Sequence, residues 1–91
     1  MSKPPPTAWE IVLLPGCRQD LTYWVETDRA LALKTLTLIA QASREPLGGI
    51  GKPEVVKHLG SGYMSRRIPQ EHRLVYRVVG KTIQFLSARF H

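Results

Sequence analysis

Cysteine occurs once in this chain, at Cys17. A single thiol excludes an internal disulfide framework and any zinc site built on cysteines. It also fits a reducing, cytoplasmic setting. Long hydrophobic runs are missing. The longest, Ala30 to Ala42, is broken by Lys34, Thr35, Thr37 and Gln41, too short and too polar to span a bilayer, so no membrane partner is expected. The N-terminus offers Lys3 and then Pro4-Pro5-Pro6, where a signal peptide would need an apolar stretch. His58, His72 and His91 stand apart, with no i, i+4 or His-x-His pair, so no metal and no cofactor is expected. The segment Gly48-Gly49-Ile50-Gly51-Lys52-Pro53 has glycines but not the Gly-Lys-Ser/Thr ending of a phosphate-binding loop. Ser61 and Ser65 lack a Gly-x-Ser-x-Gly setting. No internal repeat is present.

Acidic residues are also scarce, but only in one half. Residues 1–45 carry five Lys/Arg against five Asp/Glu, and residues 46–91 carry eight against two. The whole net charge of +6 therefore sits in the second half, as do all three histidines. Such an excess reads as a surface for a polyanion. With 91 residues, 43% of them hydrophobic, the chain is long enough for one core and too short for two.

Residues 1–8 read as a flexible, proline-rich tail, and residues 9–91 as a single domain. Trp9 to Leu14 is β-rich and stops at Pro15-Gly16. Cys17, Leu21, Trp24 and Val25 recur at helical spacing and predict a short amphipathic helix ending near Thr27. Asp28 is placed to N-cap a second helix over about Arg29 to Ser43. Its apolar residues Leu31, Leu33, Leu36, Leu38 and Ile39 spread widely enough to pack on a sheet and a neighbouring helix together. Arg44 to Gly62 holds five of the seven glycines. So long an irregular connection is functional or disordered in a compact domain, and Ile50, Val55, Val56 and Leu59 are the residues available to pin it. A short extended or single-turn element is expected around Glu54 to Lys57. Three strands follow: Tyr63 to Ile68, His72 to Val79 and Thr82 to Phe90, with a tight glycine-first hairpin at Gly80-Lys81. The expected fold class is α+β: an N-terminal strand, two helices, then an antiparallel meander forming one sheet.

The chemistry-bearing residues are the cations Lys52, Lys57, Arg66, Arg67, Arg73, Arg77, Lys81 and Arg89, with one loop carboxylate, Glu54, and the imidazole of His91. For any one cation alone the plain reading is a solvated basic face. For Glu54 it is a surface ion pair with Lys52 or Lys57, for His91 a frayed chain end, and for Trp24 and Tyr76 a place in the core. Strand alternation sets Tyr63, Ser65 and Arg67 on one face and Met64, Arg66 and Ile68 on the other. Arg67 and Arg73 flank one connection, and antiparallel pairing brings the end of the last strand beside the start of its neighbour. Arg67, Arg73 and His91 can thus converge at one sheet edge, near the Lys52–Lys57 loop. This set suits RNA cleavage by the 2′-hydroxyl on the adjacent phosphate. The step needs a base, an acid and cations for the charge on the phosphorane. Glu54 can be the base, His91 the acid, and Arg73, Arg67 and Lys57 the phosphate holders.

Five blocks carry a resemblance. They are Tyr23-Trp24-Val25-Glu26-Thr27-Asp28; Gly51-Lys52-Pro53-Glu54-Val55-Val56-Lys57-His58-Leu59; Ser61-Gly62-Tyr63-Met64-Ser65-Arg66-Arg67-Ile68; Glu71-His72-Arg73-Leu74-Val75-Tyr76; and Arg89-Phe90-His91. In this order and spacing, over roughly residues 10–91, they resemble the YoeB/Txe toxins of bacterial toxin–antitoxin modules, within the RelE superfamily. The resemblance implies a RelE-like fold and a metal-independent endoribonuclease that cuts mRNA in the ribosomal A site. It puts Glu54 on the general base, His91 on the general acid and Arg73 on the phosphate-stabilising arginine, with Arg67 and Lys57 on supporting basic positions; Lys52 and Arg66, from the same cationic cluster, are expected to bind substrate with them. It also implies a cognate YefM-type antitoxin and a homodimer. The sequence departs from the family in ending at His91, where members commonly carry one more aromatic residue, and in its proline-containing extension. Two other functions use the same features: a non-catalytic, gyrase-directed toxin on the same scaffold, and a plain RNA-binding module. Supercoiling inhibition without RNA cutting marks the first, and salt-sensitive binding without product marks the second.

Overall fold

A computed structural model describes residues 9–49, 51 and 53–89. The expected tail over residues 1–8, the cation Lys52 and the imidazole His91 lie outside the described residues. The elements run β1 (Glu10–Leu13), α1 (Pro15–Thr27), α2 (Arg29–Arg44), β2 (Glu54–Val55), a 3-10 turn (Lys57–Leu59), β3 (Tyr63–Ile68), β4 (His72–Val79) and β5 (Thr82–Ser87). The strands form one sheet in the order β1-β5-β4-β3-β2. β1 pairs with β5 in parallel, and the other neighbours are antiparallel. The expected α+β order of strand, two helices and meander is what the chain adopts.

Local chemistry explains the boundaries. The first strand stops before Pro15, as read, and Pro15 also opens α1. A proline at the first helical position loses an N–H that has no partner there anyway, and its fixed φ suits the helix. Asp28 caps α2 as expected, its Oδ1 accepting from the Leu31 N–H at 3.3 Å. The Gly80-Lys81 hairpin forms, with Gly80 at φ 59 between the paired Val79 and Thr82. A residue without Cβ takes that conformation at no steric cost.

Both helices cover one face of the sheet. The core between them holds Cys17, Trp24, Leu31, Leu38, Ile39, Ile68, Leu74, Tyr76, Ile83 and Phe85. Each large side chain removed from water there stabilises by roughly 1.5–3 kcal/mol. Trp24 and Tyr76 are core residues, as read. On α2 the buried stripe is Leu31, Ala32, Thr35, Leu38, Ile39 and Ala42. Leu33 and Leu36, expected to join it, are exposed, because a single helix face meets α1 and the sheet.

The last strand ends earlier than expected. Val75 pairs with Ser87 while Tyr76 pairs with Phe85, so Leu86 is an extra residue, a β-bulge. The bulge reverses the alternation. Ile83 and Phe85 enter the core, and then Ala88 does, rather than Ser87. Among the described residues the pairing with β4 ends at Ser87. Ala88 donates its N–H to Asp20 Oδ2 at 2.9 Å and accepts from Trp24 Nε1 at 2.9 Å. Two α1 side chains thereby take over both backbone groups at the strand end.

Candidate active site

The face of the sheet turned away from the helices carries the chemistry. Alternation along β3 places Ser65 and Arg67 there, and the register sets Glu54 of β2 opposite Ser65, and Arg73 of β4 opposite Arg67. Arg73 Nη1 donates to Glu54 Oε1 at 3.0 Å and to Ser65 Oγ at 3.2 Å. The Glu54 carboxylate is thus held by Arg73, and among the described residues Lys57 makes no ion pair with it. The pair is open to water, with side-chain exposures of 34% for Arg73 and 53% for Glu54. A pair so exposed adds little to stability. It leaves a carboxylate and a guanidinium ready for exchange with an incoming phosphodiester.

A cleft of about 540 Å³ opens beside this pair, lined by Glu54, Ser65 and Arg73 and by His58, Val75, Leu86, Ser87 and Arg89. The bulge at Leu86 is what brings Ser87 and Arg89 to it, since strict alternation would have turned them toward the helices. Arg89 stacks on α1, its guanidinium carbon 3.7 Å from the centre of the Tyr23 ring. A second hollow continues past the β3–β4 turn and is lined by Arg67, Glu71, His72 and Arg73. Further along the same face Arg77 lies over the Tyr63 ring at 5.1 Å.

The candidate residues separate accordingly. Glu54 and Arg73 meet directly, and Arg67 stands exposed beside Arg73. Lys57 is exposed at the start of the 3-10 turn, next to the cleft-lining Val56 and His58. Arg66 does not belong with them. Its side chain is 0% exposed on the helix-covered face, between Met64 and Ile68, so it is not a substrate-binding cation at the surface. Arg89, one of the cations read from the sequence, lines the cleft, and Ser65, His58 and Ser87 join it without having been singled out as site residues. For Ser65 the signal was present, since it shares the strand face of Arg67. Ser87 and Arg89 depended on the bulge. Among the described residues no three His, Cys, Asp or Glu side chains gather as a metal site would require.

Residues 15–91 fit the family model of the YoeB-like toxin of bacterial type II toxin-antitoxin systems. The chain belongs to the YoeB toxin family. It is 46% identical over 72 residues to Toxin YoeB of Escherichia coli K12, covering 79% of this chain and 86% of that protein. Among solved structures, a YoeB dimer from Staphylococcus aureus superposes with a TM-score of 0.82 at 37% identity, covering 93% of this chain and 99% of that one. A heterotetrameric YoeB–YefM toxin–antitoxin complex from the same organism gives 0.79 at 38% identity, with the same coverage. The family membership makes the chain a toxin of a type II toxin–antitoxin system.

Proposed function

We propose that this toxin is a ribosome-dependent endoribonuclease that cuts mRNA in the A site of the 70S ribosome and so arrests translation. The observation that carries the reading is the exposed Glu54–Arg73 pair at 3.0 Å on the open sheet face, beside a cleft that a nucleotide can enter. A base within hydrogen-bond reach of a phosphate-binding cation is what attack by a ribose 2′-hydroxyl needs. In this mechanism a phosphodiester displaces Glu54 from Arg73. The freed carboxylate takes the 2′-hydroxyl proton as the oxygen bonds to phosphorus. Arg73 stabilises the charge building on the phosphorane oxygens, with Arg67, Lys57 and Lys52 supporting it. The bond from phosphorus to the 5′-oxygen breaks, and His91 gives that oxygen its proton. The products are a 2′,3′-cyclic phosphate and a 5′-hydroxyl end, and none of these steps is routed through a metal.

In the cell this reading places the protein in the bacterial cytoplasm with a YefM-type antitoxin and as a homodimer. The S. aureus neighbours, a YoeB dimer and a YoeB–YefM complex, support that assignment. The test is primer extension on mRNA from a translating extract. Wild-type protein should give cuts at A-site codons. Glu54→Gln and His91→Gln should each lower cutting by about 100-fold or more, the usual scale for removing an acid or base. Full cleavage by both variants would sink the assigned roles.

A further inference from the structure

Arg66 and Arg67 are neighbours in sequence and face opposite sides of the sheet. Arg67 lies at the site, while Arg66 points inward, wholly buried. Arg66 Nη2 donates to the backbone carbonyls of Glu45 and Gly48, at 2.5 Å each. Its Nε donates to the Tyr76 hydroxyl at 3.0 Å, and that hydroxyl donates to the Pro46 carbonyl at 2.5 Å. Burial raises the Tyr76 pKa against the lowering pull of Arg66, which keeps the hydroxyl proton available for donation. Three carbonyls within four residues therefore end on one pair of side chains. The neighbouring backbone is fitted to the same pair. The Arg67 N–H donates to the Gly51 carbonyl at 2.7 Å. Gly51 sits at φ 86, and a Cβ there would lie 2.9 Å from Leu38 Cδ2 and 3.1 Å from Arg66 Cβ. Only glycine lets the chain pass this close.

Two of the apolar residues expected to pin the connection do not hold it, and Ile50 lies outside the described residues. Val55 is 62% exposed and Leu59 is 45% exposed. The hydrogen-bonded hold on the segment after α2 is made from the core side of the sheet.

We infer that Arg66, with Tyr76, is a positioning residue that fixes the backbone of residues 45–48 and, beside Gly51, sets where the chain enters β2 and presents Glu54 to the cleft. This rests on Glu54 being the base. A guanidinium suits the task because it offers separate nitrogens, Nη2 for the two carbonyls and Nε for the Tyr76 hydroxyl, where a lysine ammonium offers one. Glu54 is also held by its pairing with β3 and by Arg73, so loosening the segment misplaces the carboxylate without releasing it. Displacements of about 1 Å at a reacting group cost up to about 100-fold in rate.

The test compares wild type, Arg66→Lys and Tyr76→Phe in the full chain, with two measurements on each. Amide exchange of Gly48 and Arg67 reports the segment itself, since the Gly48 N–H donates to the Glu45 carbonyl and the Arg67 N–H to Gly51. Both amides should exchange faster by on the order of tenfold or more, while β4 and β5 amides stay protected. Single-turnover cleavage on translating ribosomes should slow by about 10- to 100-fold with the half-saturating concentration unchanged. Tyr76→Phe keeps every cation, and should move both readouts in the same direction by a smaller factor. Unchanged exchange in both variants overturns the inference. So does weakened substrate binding with an intact cleavage rate, which is the signature of a phosphate ligand. Wild-type protein that cuts nothing would overturn the nuclease reading alone, and the exchange measurement would then decide the clamp. Should Arg66→Lys fail to fold, Tyr76→Phe carries both arms.

Discussion

Asp20 acts in two directions from one turn of α1. Its carboxylate accepts the Ala88 N–H, fixing the end of β5, and it also faces the Cys17 thiol in the core. Burial first, and the Asp20 charge second, push the Cys17 thiol up to about 11 from an ordinary 9.0. The folded state thus keeps the neutral thiol at a pH where the unfolded chain has begun to lose the proton. The stability this group contributes is complete below about pH 9 and is lost as pH climbs through 11. The slope in that window is up to ~1.4 kcal/mol per pH unit. Urea unfolding from pH 8 to 10.5 should show the midpoint falling more steeply in wild type than in Cys17→Ala, with the difference confined to the upper end. Parallel curves would mean that the thiol does not titrate differently on folding. Buried at 0% exposure, the same thiol should resist iodoacetamide at pH 8 until the protein is unfolded.

The β3–β4 connection carries strain that its sequence does not relieve. Gln70 and Glu71 take φ of 64 and 67. Left-handed backbone costs an ordinary L-residue roughly 1–2 kcal/mol. Replacing both, Gln70→Asn with Glu71→Gly, supplies the pair that favours such a turn. The urea midpoint should rise by the equivalent of about 1–2 kcal/mol with an unchanged slope against denaturant, and an unmoved midpoint would show that the turn is not strained. Element by element, this hairpin shows what the sequence could and could not convey. The strands on either side, Tyr63–Ile68 and His72–Val79, were legible to the residue because alternation and a Pro-Gln-Glu break bound them. The Asp28 cap was legible for the same local reason. The end of β5 was not, since a bulge is decided by packing against β4 and α1 and leaves no periodic mark. Strand order put the loop carrying Glu54 near Arg73, but their direct pairing needed the two-residue strand β2. For Arg66 the sign was there and was outweighed. Alternation set it with Met64 and Ile68, two core residues, while its charge and its neighbour Arg67 argued for the surface.

Across the molecule the charge division follows the two faces of the sheet. The half with no net charge builds β1 and both helices, and the half carrying +6 builds β2 to β5. Because the helices cover one face, Arg67, Arg73, Arg77 and Arg89 gather on the other, with Lys57 at its rim. Cations on one open face attract a polyanion together, and their counterion release makes binding fall with salt. Their number can be read from that dependence, and the adjacent arginines give an internal control. Binding of a short single-stranded RNA by the Glu54→Gln protein should weaken linearly in log salt. Arg67→Gln should flatten the slope by about 0.7, the value for one phosphate contact on a single strand. Arg66→Gln should leave the slope alone, because a side chain with 0% exposure neutralises no phosphate. Equal flattening by substitutions at both positions would return Arg66 to the binding surface and undo the separation of the two faces. A slope indifferent to Arg67 would instead put the RNA track elsewhere, away from the Glu54–Arg73 cleft.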